Sequence, residues 1–179
     1  ELQTILNVVQ HAGTFTQGYS RASGCCARLA GGGRADAICC MTTPAVEDYL
    51  KAIYQLSEAG GAVSTSAIAE RLGIAAGSVT GMIKRLAEAG LVEHTPYYGA
   101  RLTTDGISNA IRTIRRHRVL ERFLVDVLGY TWDRVHEEAE RLEHAVTDEL
   151  IDRMATVLGE PGTDPHGAPI PAPGATFQE

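Results

Sequence analysis

Two histidines and two carboxylates crowd one short stretch of this chain, His136-Glu-Glu-Ala-Glu140-Arg-Leu-Glu143-His144. On a helix turning about 100° per residue, His136, Glu140, Glu143 and His144 share an arc of roughly 100°. Val135, Ala139, Leu142 and Val146 share the adjoining arc, so the polar set lies at the rim of an apolar stripe. Imidazole nitrogen combined with carboxylate oxygen is a donor set for a single divalent metal ion. The same pattern also suits a solvated acidic helix with His/Glu pairs four residues apart.

A second pair is more telling. His117 and Glu121, also four apart, interrupt an apolar stripe of Ala110, Ile114 and Leu124, with Leu120 and Phe123 alongside. Burying an unpartnered carboxylate is costly. A His117–Glu121 ion pair answers that need, and a metal shared with the Glu140 helix answers it more fully. A hydrolase or di-iron oxidase is the rival use of such a cluster. Against it, Glu140 stands where a HExxH motif needs its second histidine. A paired Glu-x-x-His arrangement is missing as well.

These side chains need elements to hold them. Thr43 as N-cap and Pro44 in the first turn open a helix over 44–58, with Val46, Tyr49, Leu50, Ile53 and Tyr54 as its stripe. Asp48 lies off that stripe. A short helix near 66–72, a break at Gly73 and a second helix near 76–89 have the spacing of a helix-turn-helix. On the second helix Val79, Met82, Ile83 and Leu86 face inward. Gly77, Thr80, Gly81 and Lys84 face outward, with Ser78 on the flank. Small residues permit close approach to DNA and Lys84 suits a phosphate. No Arg, Asn or Gln on that face reads a base bidentately, so indirect readout is expected. Strands over 91–94 and 100–103, around Pro96-Tyr-Tyr-Gly99, make a wing in which Arg101 can touch the DNA backbone. Thr104 is expected to cap a long helix to about Leu128, Thr131 the helix of the opening stretch, and Thr147 a last helix to about Leu158.

The chain has 179 residues and 44% hydrophobic content, enough for one domain or two small ones. No membrane-length apolar run or signal peptide is present, so a cytoplasmic protein is expected. The net charge of −6 is unevenly spread. Residues 64–118 hold eight Lys/Arg against four acids, and residues 119–160 hold four Arg against eleven acids. A basic half suits phosphates and an acidic half suits cations. Residues 1–40 carry all four cysteines, in adjacent pairs that lack a zinc-site spacer, and no core pattern. They read as a disordered or non-native leader, with Met41 a candidate start. The Pro-rich stretch after Gly159 reads as extended or mobile.

In this order, the features resemble the diphtheria toxin repressor family of metal-activated transcriptional repressors, manganese transport regulator type. The likeness rests on Thr43-Pro-Ala-Val-Glu-Asp-Tyr-Leu50, Ile68-Ala-Glu-Arg-Leu-Gly73, Arg116-His-Arg-Val-Leu-Glu121, the Val135–His144 stretch and Asp164-Pro-His-Gly-Ala-Pro-Ile-Pro171. It implies a mainly α fold: a winged helix-turn-helix DNA-binding domain over 41–104, then an all-helical metal-binding and dimerisation domain over 105–158, with 159–179 as the tail. Carried over by position, the metal ligands fall on Asp48, His117, Glu121, His136, Glu140, Glu143 and His144. The resemblance implies a homodimer on palindromic double-stranded DNA. It also implies Mn2+ as activator, with Fe2+ the alternative and Co2+, Ni2+ or Zn2+ able to substitute in vitro. Iron-type members place Met at Asp48 and Cys at Glu140, and exchanging sulfur for oxygen favours Mn2+. Lys51 stands where some manganese-type members have a second carboxylate, which argues against a two-manganese cluster of that kind. Three-domain members continue into an SH3-like domain, whereas this sequence stops at Glu179, as a two-domain form or a truncated one.

Overall fold

The computed structural model describes residues 43–57 and 61–175. The expected leader, the candidate start Met41, the cysteines and the last residue of the helix expected over 44–58 lie outside the described residues. Within them, six helices accompany one two-stranded antiparallel sheet.

Helix α1 spans Pro44–Leu56 and buries Tyr49, Leu50 and Ile53. Thr43 stands at its N-cap in extended geometry, but its side chain makes no capping bond. Helix α2, Thr65–Leu72, is capped by Ser64, whose hydroxyl accepts from the Ala67 amide at 3.1 Å. It stops at Gly73, whose φ of 66° is the left-handed conformation that glycine adopts without a Cβ clash. Helix α3, Ala76–Glu88, turns Val79, Ile83 and Leu86 inward. These three helices share a core with Val63 and the hairpin residues Val92, Ala100 and Leu102.

The wing strands are β1, Val92–Thr95, and β2, Gly99–Leu102, each displaced by one residue from the expected span toward the loop. Both flanking residues have other work. Leu91 is buried in the core, and Thr103 caps the next helix. Val63 adds a bridge to Ala100, so the wing is stitched to the segment before α2. That bridge demands glycine at 99: φ is 103° and a Cβ would stand 2.4 Å from the Val63 carbonyl oxygen.

Helix α4, Thr104–Asp126, starts one residue earlier than its expected cap allows, because Thr103 and not Thr104 is the N-cap. The Thr103 hydroxyl accepts from the Gly106 amide at 3.1 Å and donates to the Gly90 carbonyl at 2.8 Å. One side chain thereby ties the end of α3 to the start of α4. Along its length α4 passes from one core to the next: Ala110 belongs to the first, and Val119, Leu120 and Leu124 to a second with Val135, Ala139, Ile151 and Ala155. Those partners come from α5, Trp132–Leu142, and α6, Asp148–Val157. Thr147 caps α6 by accepting from the Leu150 amide, whereas Thr131 makes no capping bond to α5.

Two expectations fail here. The opening stretch is not one helix: α5 ends at Leu142, and Glu143 and His144 lie in the turn before α6. Nor is the Pro-rich segment extended or mobile through its described residues. The guanidinium of Arg115 donates to the Pro171 carbonyl at 2.9 Å, and that of Arg118 donates to the Pro169 carbonyl. The buried Asp164 carboxylate accepts from the amides of His166 and Ala168, each at 2.9 Å. Composition alone cannot show donors supplied by another helix.

Candidate metal centre

Because α5 stops at Leu142, the chain bends and drives Glu143 into the interior, where it is fully buried. His144 turns toward α1. Its Nε2 lies 3.0 Å from Asp48 Oδ1 and 3.5 Å from Glu143 Oε1. Asp48, Glu143 and His144 each bring a ligand atom to within 4.8 Å of the others. Burial raises the Asp48 carboxyl above its usual range, against the pull of His144. An off-stripe aspartate on α1 thus meets two residues nearly a hundred positions later.

A lysine stands beside this group. Lys51 Nζ donates to Glu140 Oε1 at 2.8 Å and to both oxygens of Glu143 at 2.9 and 3.0 Å. It also lies 3.5 Å from His117 Nδ1. Burial would raise Glu140, but the hydrogen bond and charge of Lys51 carry it below the usual carboxylate range. A cation is therefore held where oxygen and nitrogen donors converge, a direct sign that the cluster accommodates positive charge.

Beyond Lys51, His117 donates from Nδ1 to Glu143 at 2.6 Å and faces Glu121 through Nε2 at 3.0 Å. Burial pulls His117 down, yet the hydrogen bonds to Glu121 and Glu143 outweigh it and lift the ring to about 9. Burial likewise pushes Glu121 up, while His117, His136 and His166 together hold it at about 2. His136 Nδ1 is 3.0 Å from Glu121, and the His117 and His136 rings meet edge to face. His117, His136 and Glu140 form a second possible ligand group, and Glu121, Asp164 and His166 a third.

All seven carried-over residues therefore lie in one continuous set of contacts. Sequence reasoning assigned nothing to His166 and named neither Asp164, Lys51 nor Glu47 among the site residues. The first two sit in the Asp164–Pro171 run that carries part of the family likeness, and that run was the available signal. The donors are imidazole nitrogens and hard carboxylate oxygens, with no sulfur among them, and they fit a divalent metal ion. Of the residues expected to meet DNA, Gly77, Ser78, Thr80, Gly81, Lys84 and Arg101 are all exposed. Tyr97 and Tyr98 project from the wing tip.

Comparison with known proteins gives two successive matches along the chain. The family described as iron-dependent repressor, N-terminal DNA binding domain, matches residues 41–100. Its companion, the metal binding and dimerisation domain, matches residues 103–172. The iron-dependent repressor IdeR of Mycobacterium leprae is 41% identical over 125 residues, covering 70% of this chain and 54% of that protein. The chain thus spans about half the length of the curated relatives it matches. A solved manganese-dependent transcriptional repressor in complex with manganese is 46% identical, with a TM-score of 0.66 over 75% of this chain and 62% of that one. The structure of the manganese regulator SloR is 42% identical, with a TM-score of 0.67 over 77% of this chain and 64% of the other.

Proposed function

Because this chain belongs to the iron-dependent repressor family, whose DNA-binding and metal-binding domains it matches in succession, we propose that it is a metal-activated transcriptional repressor controlling metal uptake or homeostasis. Mn2+ is the proposed activator, and a cytoplasmic homodimer on a palindromic double-stranded operator is the proposed working form. The observation that carries the reading is the meeting of Asp48 with Glu143 and His144.

Asp48 belongs to α1 of the DNA-binding half, and Glu143 and His144 to the turn between α5 and α6 of the helical half. Residues that hold one ion together cannot move apart, so this set fixes the recognition helix α3 relative to the helical half. A bound divalent ion supplies the positive charge that balances these carboxylates at close range. In a homodimer two α3 helices must meet half-sites about 34–36 Å apart, or a multiple of that. Fixing each helix favours that spacing, so metal and DNA strengthen each other reciprocally. Lys84 and Arg101 serve phosphates, and the small residues Gly77, Ser78, Thr80 and Gly81 admit the backbone closely. His117, His136 and Glu140, with Glu121, Asp164 and His166 beside them, form a further holding set inside the helical half.

The choice of Mn2+ over Fe2+ rests on carboxylates at Asp48 and Glu140, positions where iron-type relatives carry sulfur. The test is fluorescence anisotropy of the full chain on DNA selected from a random pool, titrated anaerobically with Mn2+, Fe2+, Co2+ and Zn2+. DNA retention in Mn2+ is the expected result. Glu140→Cys should move the preference toward Fe2+, Co2+ or Zn2+, because a thiolate is the softer ligand. Equal DNA affinity with and without every metal would refute activation. An unchanged metal order in Glu140→Cys would remove Glu140 from the selecting set.

A further inference from the structure

The ring of His144 is gripped from both sides by consecutive residues of α1. Its Nε2 faces Asp48, and its Nδ1 lies 2.6 Å from Oε2 of Glu47. A carboxylate only accepts, so a ring nitrogen at that distance carries the hydrogen and donates it. With Nδ1 committed to Glu47, Nε2 is the nitrogen that a metal can take in place of its own hydrogen, and it points at Asp48 and Glu143.

Glu47 is itself immobilised. Its side chain is 7% exposed, and its second oxygen lies 3.6 Å from the guanidinium of Arg116. Arg116 is in turn fixed by donating to Asp148 at 2.7 Å. An acid in the first turn of a helix is favourable through the helix dipole alone, but such an acid is ordinarily solvated. Glu47 is buried, and it touches an imidazole whose opposite edge lines the candidate metal site.

We propose that Glu47 is a positioning residue of the metal centre: it holds His144 with hydrogen on Nδ1 and aims Nε2 at the ion. This rests on the metal-site reading above and adds a residue outside every ligand group described there. Carboxylates behind metal-binding histidines fix the tautomer and ring orientation, and losing one costs about 10–100-fold in metal affinity. Through Arg116 and Asp148 the same carboxylate ties α1 to α4 and α6, so ring orientation is linked to the seating of the DNA-binding half.

The experiment uses the full chain without DNA. Mn2+ is titrated calorimetrically into wild type, Glu47→Ala, Glu47→Gln and His144→Ala. The His144 ring is observed by proton–nitrogen correlation in protein loaded with diamagnetic Zn2+. Glu47→Ala should bind Mn2+ about 10–100-fold more weakly. Glu47→Gln keeps an oxygen acceptor and should recover much of that loss. The Zn2+-loaded wild type should show hydrogen on Nδ1 and coordination through Nε2, a pattern lost in Glu47→Ala. Coordination through Nδ1 in wild type would overturn the proposal even if Glu47→Ala failed to fold. So would weaker binding in Glu47→Ala with the ring pattern unchanged, which is the signature of a packing role. Unaltered Mn2+ binding in His144→Ala would instead refute the metal site itself. A loss in His144→Ala with none in Glu47→Ala would refute this inference alone.

Discussion

Two groups of ionisable side chains, built from the same residue types, do different mechanical work. The first, Glu47, Asp48, Glu143 and His144, draws on α1 and on the turn after α5. It therefore spans the boundary between the DNA-binding half and the helical half. The second, His117, Glu121, His136, Glu140, Asp164 and His166, comes from α4, α5 and the C-terminal segment. It lies wholly on the helical side. An ion held by the first group constrains the position of α3, while one held by the second braces the C-terminal segment against α4. On the proposed reading, identical chemistry makes a switch in one place and a clasp in the other, because only the first set of donors bridges the two halves.

Lys51 stands at the junction of the two groups, beside the direct contact of His117 with Glu143, and replacing it should produce the largest effect. Its ammonium touches Glu140 and Glu143 and lies beside His117. Its side chain is 9% exposed and that of Glu143 is 0% exposed. Lys51→Glu removes the cation from a buried carboxylate and adds another carboxylate. Breaking a buried pair in this way costs about 3–5 kcal/mol, so the metal-free variant should unfold at clearly lower denaturant concentration. Added Mn2+ should restore stability, and native mass spectrometry should count one more Mn2+ per chain than in wild type. Unchanged stability with unchanged stoichiometry would mean that the Lys51 ammonium contributes nothing at that junction.

Next in size is the contrast between their histidines. His144→Ala removes a donor from the boundary group, and Mn2+-dependent DNA affinity should fall by roughly 100-fold, or about 2.7 kcal/mol. His166→Ala takes away a half-exposed ring 3.6 Å from Glu121, and DNA affinity should change by less than about threefold. Its effect should appear instead as a smaller rise in melting temperature on adding Mn2+. Equal losses of DNA binding in the two variants would erase the distinction between switch and clasp.

How far such a distinction could be read in advance depended on whether a signal was local. His117 and Glu121 were legible because charged residues inside an apolar stripe demand partners, whatever the tertiary structure. The helix-turn-helix was legible because Gly73 and the apolar spacing are local. Glu143 and His144 were recognisable by type, but periodicity carried them along a helix that actually stops at Leu142. Lys51 could be flagged as a departure from the family pattern, but not as the neighbour of Glu140 and Glu143 some ninety residues away. Glu47 drew no reading of its own, because an acid in the first turn of a helix needs no partner to be favourable. The C-terminal segment was misjudged for the same reason: Arg115 and Arg118 hold its carbonyls, and sequence composition says nothing about guanidiniums on another helix.

Acid and base should probe the second group in the metal-free protein. Folding raises His117 from 6.5 to about 9, so the stabilisation from its charged ring is complete below about 6.5 and disappears as pH rises through about 9. Folding lowers Glu121 from 4.5 to about 2, so its contribution is present above about 4.5 and is lost as pH falls through about 2. The metal-free melting temperature should therefore be highest between these two windows and decline on both sides. Coordination requires an unprotonated ring, so the extra melting temperature conferred by Mn2+ should widen from pH 6.5 toward 9. A flat metal-free profile across that upper window would show that the His117–Glu121 pair adds nothing to the fold.

The smallest expected effect lies away from both groups and tests whether the interface and the switch are separable. Lys84 is exposed on α3, on the face opposite the buried Val79, Ile83 and Leu86. Its removal touches no core contact, so stability should stay within about 0.5 kcal/mol of wild type. An ammonium at a phosphate acts through counterion release and carries no base information. Lys84→Ala should therefore weaken binding to every DNA sequence similarly and reduce the slope of log affinity against log salt by about one. The ratio of DNA affinities with and without Mn2+ should not change, because Lys84 neither holds α1 against the helical half nor faces any of the donors. Salt titrations of wild type and Lys84→Ala, each with and without Mn2+, measure the slope and the ratio together. Lost discrimination at a single base position would mean that Lys84 reads a base edge. A changed Mn2+ ratio would mean that α3 participates in the switch and is not simply carried by it.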